Sequence, residues 1–226
     1  MLRKEIRAIV SASSQQGWVL EPEAKRLLSL AGLGVPKYTW TTDVEEALQF
    51  AEQVGYPVVA KVVSPEILHK SDQGGVVTGI DSDEKVSATF ARFSQLLGFA
   101  GVLVEEMLSG VELIVGAKID YQFGPVIVLG MGGTGVEIYR DTTLRMAPLE
   151  ERHVKAMVKD LKAHQLLEGY RGSEPVNLAE LTRMMITFSQ LVMEIESLID
   201  SIDLNPVICS ENKCVVADAR ILLKVA

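Results

Sequence analysis

Lys61 stands in an otherwise apolar stretch, residues 57–63 with the sequence PVVAKVV. Burying an unpaired ammonium in such a strand costs several kcal/mol, and the stretch itself contains no acidic residue. A lysine at a sheet edge, with its ammonium reaching water, would avoid that cost. We favour a bound anion instead, because a strand that is apolar on both faces is typical of a buried one. Phosphate is the anion that we expect.

The loop that follows this strand, SPEILHKSDQGG, carries residues suited to a polyphosphate. Lys70 and Ser71 offer polar side chains, and Gly74 and Gly75 would let the backbone approach phosphate oxygens closely. The loop is not a Walker A motif, since the sequence contains no G-x-x-x-x-G-K-[ST]. His69 has two interpretations: it is a surface histidine, or its ring nitrogen accepts a phosphoryl group.

The last two predicted strands form a hairpin in which polar residues face one another. A two-residue turn at positions 211–212 sets Cys209 opposite Cys214. Counting back from the turn, Asn205 lies opposite Asp218, and opposed residues point to the same face of a sheet. A register slip of one residue would undo this arrangement.

The same count places Asp203 opposite Arg220, on the face that holds Asn205 and Asp218. Three side chains with oxygen atoms therefore gather there, without a histidine or a thiol. Such hard ligands suit Mg²⁺ held jointly with the phosphates of a substrate. A solvated sheet face on which Arg220 pairs with Asp203 explains the same residues equally well, since half-exposed polar faces are common in antiparallel sheets.

Composition narrows the class of protein. The chain has 226 residues, 48% hydrophobic and 23% charged, enough for a sizeable core in one large or two small domains. The net charge of −8, with no basic stripe, argues against nucleic acid as a partner. No apolar run approaches the roughly 20 residues that cross a bilayer, and no signal peptide is evident. Two cysteines make no disulfide framework, so we expect a soluble, cytoplasmic protein that binds no membrane.

Hydrophobic periodicity predicts an α+β fold rather than a doubly wound sheet. The second half of the chain has the turn spacing of an antiparallel meander. We expect a boundary near Glu105, with an N-terminal lobe over residues 1–104 and a C-terminal lobe over residues 105–226. Helices are predicted at 2–11, 21–32, 43–55, 81–97, 149–164 and 177–195, and strands at 37–42, 57–63, 74–80, 101–107, 111–120, 124–133, 135–140, 142–148, 197–210 and 213–223.

Five stretches, which follow one another along the chain as given at the end of this paragraph, resemble sequences of the ATP-grasp family. More closely, they resemble the β subunit of ADP-forming (NDP-forming) acyl-CoA synthetases, relatives of succinyl-CoA synthetase. The resemblance implies an ATP-grasp fold, in which two α+β lobes with antiparallel sheets enclose a nucleotide cleft. The stretches are AKVVSPEILHKSDQGGV, FGPVIVLGMGG, LRMAPL, LLEGYRG and DLNPV.

The resemblance implies a role for residues around the nucleotide. Lys61 resembles the lysine that holds nucleotide phosphates. The stretch VEEM, which contains Glu105, Glu106 and Met107, resembles the hinge strand that lies against the adenine. Glu112 is similar in position to the acidic residue that binds the ribose hydroxyls.

The resemblance also implies the cofactors, ATP or ADP with Mg²⁺, and the residues that handle the phosphoryl group. Asn205 and Asp218 look like the Mg²⁺ ligands, in agreement with the hairpin register. Asp203 resembles the acid that meets an incoming phosphohistidine, and His69 resembles a second phosphohistidine. Arg145 is expected to help neutralise the charge of the transferred phosphoryl group.

The implied reaction converts acyl-CoA, ADP and phosphate to the free acid, CoA and ATP. No strand–GxGxxG–helix unit for CoA is present in the sequence, so a CoA-binding α subunit, or fused α domains, must complete a hetero-oligomeric enzyme. The chain is then a separate β subunit or a fragment of a fused enzyme. Two alternatives stay open: a carboxylate–amine ligase of the same fold, and an ATP-sensing module of a multidomain acyltransferase or regulator.

Overall fold

A computed structural model of the chain describes residues 2–133, 140–170 and 174–224. The strand predicted at residues 135–140 lies outside the described residues except for Arg140, and so does the end of the stretch LLEGYRG, at residues 171–172. Within the described part of the chain, no helix is long and apolar enough to span a membrane.

The chain divides into two compact units. The small unit comprises Pro36–Leu108, and the large unit comprises Met1–Val35 together with Ser109–Ala226. This division differs from the predicted lobes, 1–104 and 105–226, in the place of the leading segment and of residues 105–108, which belong to the small unit. The reason is a pairing between distant parts of the chain, because strand β1 (Trp18–Val19) is antiparallel to strand β11 (Arg220–Leu223) in the large unit.

The small unit is a four-stranded antiparallel sheet with two helices. The strand order is β2-β5-β3-β4. Val58, Ala60 and Val62 of β3 belong to a core that also contains Ala47 and Phe90 from the two helices. The elements are β2 (Tyr38–Thr41), α3 (Val44–Val54), β3 (Val58–Val63), β4 (Val76–Ile80), α4 (Asp83–Phe93) and β5 (Gly101–Glu106).

Local capping sets the ends of these two helices. The Asp43 carboxylate accepts a hydrogen bond from the Glu45 N–H at 2.9 Å, and Gly55, with φ of 86°, terminates α3 as predicted. Helix α4 begins later than predicted because Ser82, rather than Asp81, is its N-cap. It also ends at Phe93, four residues before the predicted end at residue 97.

The large unit is a sheet with helices against one face. Among the described residues the strand order is β1-β11-β9-β6-β7-β8, and β10 also pairs with β9. The elements not yet given are α1 (Leu2–Ala12), α2 (Glu21–Leu30), β6 (Val111–Asp120), β7 (Gly124–Met131), β8 (Thr142–Met146), α5 (Glu151–Asp160), α6 (Leu178–Ile195), β9 (Ile199–Cys209) and β10 (Cys214–Val216).

One row of paired residues defines the face of the large sheet that the helices do not cover. Asp203 pairs with Arg220 on one side and with Gly116 on the other. Gly116 pairs with Val128, which pairs with Leu144. Paired residues share a face, so these side chains lie on one surface, which we call the Asp203 face. The alternate residues of the same strands form the core with the helices, among them Val115, Ala117, Ile127, Leu129, Ile202 and Leu204.

Candidate functional site

The buried ammonium of Lys61 is paired with Glu105 in the small unit. Lys61 Nζ lies 3.2 Å from Glu105 Oε2, and the two side chains are only 6% and 3% exposed. The pair is diagonal across neighbouring strands, because Lys61 lies opposite Leu103 and Glu105 opposite Val59. The anion missing from the lysine's own strand therefore comes from β5. A bound ligand is no longer needed to explain why Lys61 is buried, and phosphate binding by Lys61 stays a prediction.

The other two predicted hinge residues have different surroundings. The Glu106 carboxylate accepts a hydrogen bond from the Lys37 N–H at 2.9 Å, and the Glu106 N–H donates to the Lys37 carbonyl at 3.0 Å. These bonds hold the chain just before β2 against β5. Met107 has 47% of its surface exposed, so it presents an apolar side chain suited to contact with a flat base.

Glu112, predicted to bind ribose, lies in the large unit at the start of β6. Its side chain is exposed, while its carbonyl accepts a hydrogen bond from the Gly132 N–H at 2.7 Å. A Cβ at position 132 would come within 2.8 Å of the Glu112 carbonyl, so only glycine allows this approach. The contact fixes the backbone of Glu112 and leaves its carboxylate at the surface.

The loop between β3 and β4 is closed by its own hydrogen bonds. The Gly75 N–H donates to the Lys70 carbonyl at 2.7 Å, and the Gly74 N–H donates to the Ser71 carbonyl at 3.2 Å. The sequence suggested that these glycines would bring their backbone to a polyphosphate, but in this structure both N–H groups are used within the loop. The glycines therefore shape the loop. Gly74 has the left-handed φ of 62°, and a Cβ on Gly75 would meet Val62 Cγ1 at 2.7 Å.

His69 is presented on a loop whose base is anchored. Ile67 is 2% exposed in the core of the small unit, and the Ser64 hydroxyl donates to the Leu97 carbonyl at 2.7 Å. Beyond these anchors His69 and Ser71 are exposed, and Lys70 is half-buried. The His69 side chain therefore lies at the surface of the loop, and its role as a phosphoryl acceptor stays a prediction.

The predicted register of the last hairpin is confirmed. Cys209 pairs with Cys214, and Asp203 pairs with Arg220. Between these pairs the second strand is interrupted at residues 217–219, where the Asp218 N–H donates to the Pro206 carbonyl at 3.4 Å. The pairing register of β9 is the same with β10 as with β11. The residue opposite Asn205 in this register is therefore Asp218.

Asp203 is subject to two opposing charges. Its Oδ2 lies 3.4 Å from Arg220 Nη2, so the ion pair considered as an alternative explanation is present. Burial raises the pKa of the Asp203 carboxyl above its ordinary value, Arg220 acts in the opposite direction, and the nearby Asp218 carboxylate adds to the rise. Asp203 and Asp218 are therefore close enough to repel each other when both are ionised.

This donor set fits a magnesium ion that arrives with a nucleotide. Within the described residues there is no group of three or more His, Cys, Asp and Glu side chains suited to a metal ion. Asp203, Asn205 and Asp218 supply two carboxylates and an amide, which are too few ligands for a closed all-protein site. Mg²⁺ usually keeps several waters and takes one or two carboxylates plus substrate phosphates, so a partial oxygen set is what such a site requires.

Arg145, predicted to help neutralise the charge of the phosphoryl group, does not lie on the Asp203 face. Arg145 pairs with Ile127, a fully buried core residue, so it faces the helix layer. Its Nη2 lies 2.6 Å from Asp160 Oδ2 at the end of α5. Its neighbour Leu144 is the residue on the Asp203 face, because side chains alternate along a strand. A role for Arg145 beside the predicted metal site is therefore not supported.

Sequence analysis missed a second buried lysine. Lys25 in α2 is fully buried and reaches the loop that carries Asp218. Its spacing of four residues from Glu21 was a visible signal, but the same spacing is common on exposed helix faces. Only the pairing of the leading segment with the large sheet shows that this face of α2 is inside.

The family model and the relatives that this chain matches agree with one another. The chain matches the model described as an ATP-grasp domain over residues 11–223. It is 38% identical over 223 residues to the β subunit of ADP-forming acetate–CoA ligase I of Pyrococcus furiosus, and the match covers 95% of this chain and 96% of that subunit. It is also 38% identical to the ADP-forming 4-hydroxybutyrate–CoA ligase of Nitrosopumilus maritimus, where the match covers 90% of this chain and 30% of that longer protein.

A solved structure of similar fold carries ligands. The chain superposes with a TM-score of 0.84 and 37% identity on acetyl-coenzyme A synthetase 1 of Ca. Korarchaeum cryptofilum, covering 97% of this chain and 100% of that one. That protein was solved with coenzyme A and Mg-AMPPCP, and its phosphohistidine segment points towards the nucleotide-binding site.

Proposed function

Because the chain belongs to the ATP-grasp family, we propose that it is the nucleotide-binding β subunit of a cytoplasmic ADP-forming acyl-CoA synthetase. The observation that carries this proposal is the end-to-end match, at 38% identity, to a β subunit of an ADP-forming acetate–CoA ligase. The proposed subunit transfers a phosphoryl group between a phosphohistidine and ADP. It requires a CoA-binding α partner, as a separate chain or as fused domains, because the sequence contains no strand–GxGxxG–helix unit for CoA.

In this proposal, each unit supplies charged and polar residues with a role in nucleotide binding. Lys61 binds the phosphates, and its pairing with Glu105 fixes the ammonium before the nucleotide arrives. Met107 contacts the adenine, and the Glu112 carboxylate receives the ribose hydroxyls. Lys70 and Ser71 add polar contacts from the loop that displays His69.

Asn205 and Asp218 would hold Mg²⁺, which neutralises phosphate charge when bound with the nucleotide. Asp203 would accept a hydrogen bond from the imidazole that carries the phosphoryl group; the register of the hairpin, which puts Asp203 on the face predicted to hold Asn205 and Asp218, supports this role. Its ion pair with Arg220 keeps the carboxylate oriented.

The proposed chemistry moves one phosphoryl group in balanced steps. Phosphate attacks the acyl-CoA thioester carbonyl, which releases CoA and forms an acyl phosphate on the partner. A histidine nitrogen of the partner then takes the phosphoryl group, releasing the acid as a carboxylate. His69 receives the group from that histidine and passes it to a terminal oxygen of ADP, so that a P–N bond is broken and the P–O bond of ATP is formed.

The reverse of the last step tests the proposal on the chain alone. Incubation with γ-labelled ATP and Mg²⁺ should attach label that is stable to base and labile to acid, as expected of a phosphohistidine. His69→Ala should abolish the label, and His164→Ala, in a surface turn of the large unit, should retain it. Binding of ATP without any label would favour the ATP-sensing module instead. Label that survives in His69→Ala would remove the role proposed for this histidine.

A further inference from the structure

Lys25 is among the largest fully buried side chains in the described part of the chain. Its Nζ lies 3.0 Å from Glu21 Oε1, one turn earlier in α2, and Glu21 is itself only 3% exposed. The ammonium also donates a hydrogen bond to the Ala217 carbonyl at 2.8 Å. A charge pair in such a position is not explained by stability alone, because apolar residues of similar volume often stabilise a core as well or better.

The carbonyl that receives this bond belongs to a short and specialised segment. Residues 217–219 interrupt the last hairpin between β10 and β11, and they include Asp218. The N–H groups of Ala217 and Asp218 both approach the Pro206 carbonyl, at 3.0 and 3.4 Å. Pro206 directly follows Asn205. The segment with one proposed magnesium ligand is thus bonded to the segment with the other.

Lys25 contacts residues 217–219 from the helix layer. The hydrogen bonds to the Pro206 carbonyl fix Ala217 and Asp218 within the last hairpin, and the bond from Lys25 fixes the Ala217 carbonyl against α2. Glu21 in turn fixes the ammonium, because a buried lysine without an anion would be expelled or deprotonated. The hydrogen bond from Lys25 therefore connects helix α2 to the peptide group that joins Ala217 to Asp218.

We propose that Lys25, oriented by Glu21, is a positioning residue for the divalent-cation site at Asn205 and Asp218. This inference rests on the proposed function, which supplies the cation. Lys25 touches neither the cation nor the nucleotide, and it acts by fixing the backbone that aims the Asp218 carboxylate. Residues that orient metal ligands in this way typically change metal affinity about 10- to 100-fold when they are replaced.

The test uses the full 226-residue chain and a neutral double variant. Lys25→Met alone leaves Glu21 buried without its cation and can unfold the protein. Glu21→Gln with Lys25→Met removes both charges and keeps similar volumes. Asp81→Asn with Lys85→Met, an exposed pair at the same helical spacing in the small unit, is the matched control. Thermal unfolding first verifies that each variant is folded.

Metal binding is then measured separately from nucleotide binding. Mn²⁺ affinity in the presence of ADP is followed by the electron paramagnetic resonance of free Mn²⁺, and ADP affinity is measured in EDTA by calorimetry. We expect the double variant at Glu21 and Lys25 to bind Mn²⁺ at least about tenfold more weakly, with metal-free ADP affinity unchanged within about twofold. The control pair should change neither.

Three outcomes contradict the inference in distinguishable ways. If the folded double variant binds Mn²⁺ as tightly as the wild type while Asp218→Asn does not, the metal site stands and Lys25 has no positioning role. If Mn²⁺ affinity, metal-free ADP affinity and stability fall together, the lysine is merely structural. If the wild type binds no Mn²⁺ in the presence of ADP, the proposed function itself loses its metal site.

Discussion

The ion pair between Lys61 and Glu105 can be tested by removing one charge at a time. Glu105→Gln leaves the Lys61 ammonium buried, at 6% exposure, without the carboxylate 3.2 Å away. Breaking a buried pair in this way costs about 3–5 kcal/mol, and we expect the lower end because the new amide oxygen still accepts a hydrogen bond. A loss of about 3 kcal/mol lowers the folding equilibrium constant by about two orders of magnitude.

Urea unfolding of three variants gives the interaction energy. We expect Glu105→Gln and Lys61→Met each to lose a few kcal/mol, and the double variant to lie within about 1 kcal/mol of the wild type, because it buries no uncompensated charge. Asp81→Asn provides the matched control. It breaks an exposed pair with Lys85, which should leave the urea midpoint almost unchanged.

The same three variants also test nucleotide binding when ADP is added without metal. If Lys61 binds nucleotide phosphates, ADP should stabilise Glu105→Gln more than the wild type, since a phosphate replaces the missing carboxylate. Lys61→Met should show little stabilisation by ADP. Additive losses in the double variant would refute the pairing argument, and equal stabilisation of all variants by ADP would refute the phosphate role of Lys61.

Two further substitutions test the geometry of the loop between β3 and β4 and of strand β8. Gly75→Ala should destabilise the protein by about 1–3 kcal/mol and reduce labelling of His69, since the added methyl would meet Val62 at 2.7 Å; an unchanged thermal midpoint would contradict this. Arg145→Gln should leave labelling of His69 within about threefold of the wild type. It should alter the free energy of unfolding by less than about 1 kcal/mol, because it breaks only a partly exposed pair with Asp160. A tenfold loss of labelling would instead support a role of Arg145 in phosphoryl transfer.

Local rules predicted the parts of the site that lie within one hairpin. The register of β9 with β10 and β11 follows from the turn at residues 211–212, and it places Asp203 opposite Arg220 as expected. The same holds for Gly55, whose position after an apolar stripe predicted the end of α3. In each case the residues that decide the geometry lie within 17 positions of one another.

Contacts between distant segments could not be predicted in this way. The sequence places Glu105 about 40 residues from Lys61, and only the order of strands in the small sheet makes them neighbours. The side that Arg145 faces could not be predicted either, because it depends on the pairing of β8 with β7, which motif order does not reveal. Lys25 was overlooked for the same reason, since its burial depends on elements from the far end of the chain.

The pairing of β1 with β11 has a consequence for biosynthesis. All four strands of the small sheet lie between residues 38 and 106, so this segment can assemble its core as soon as it has left the ribosome. The surrounding unit cannot, because β1 has no partner and the buried face of α2 has no cover until residues 220–223 have been translated. The small sheet can therefore form before the sheet of the large unit, and the Lys25 ammonium in α2 lacks its carbonyl partner until Ala217 has been translated.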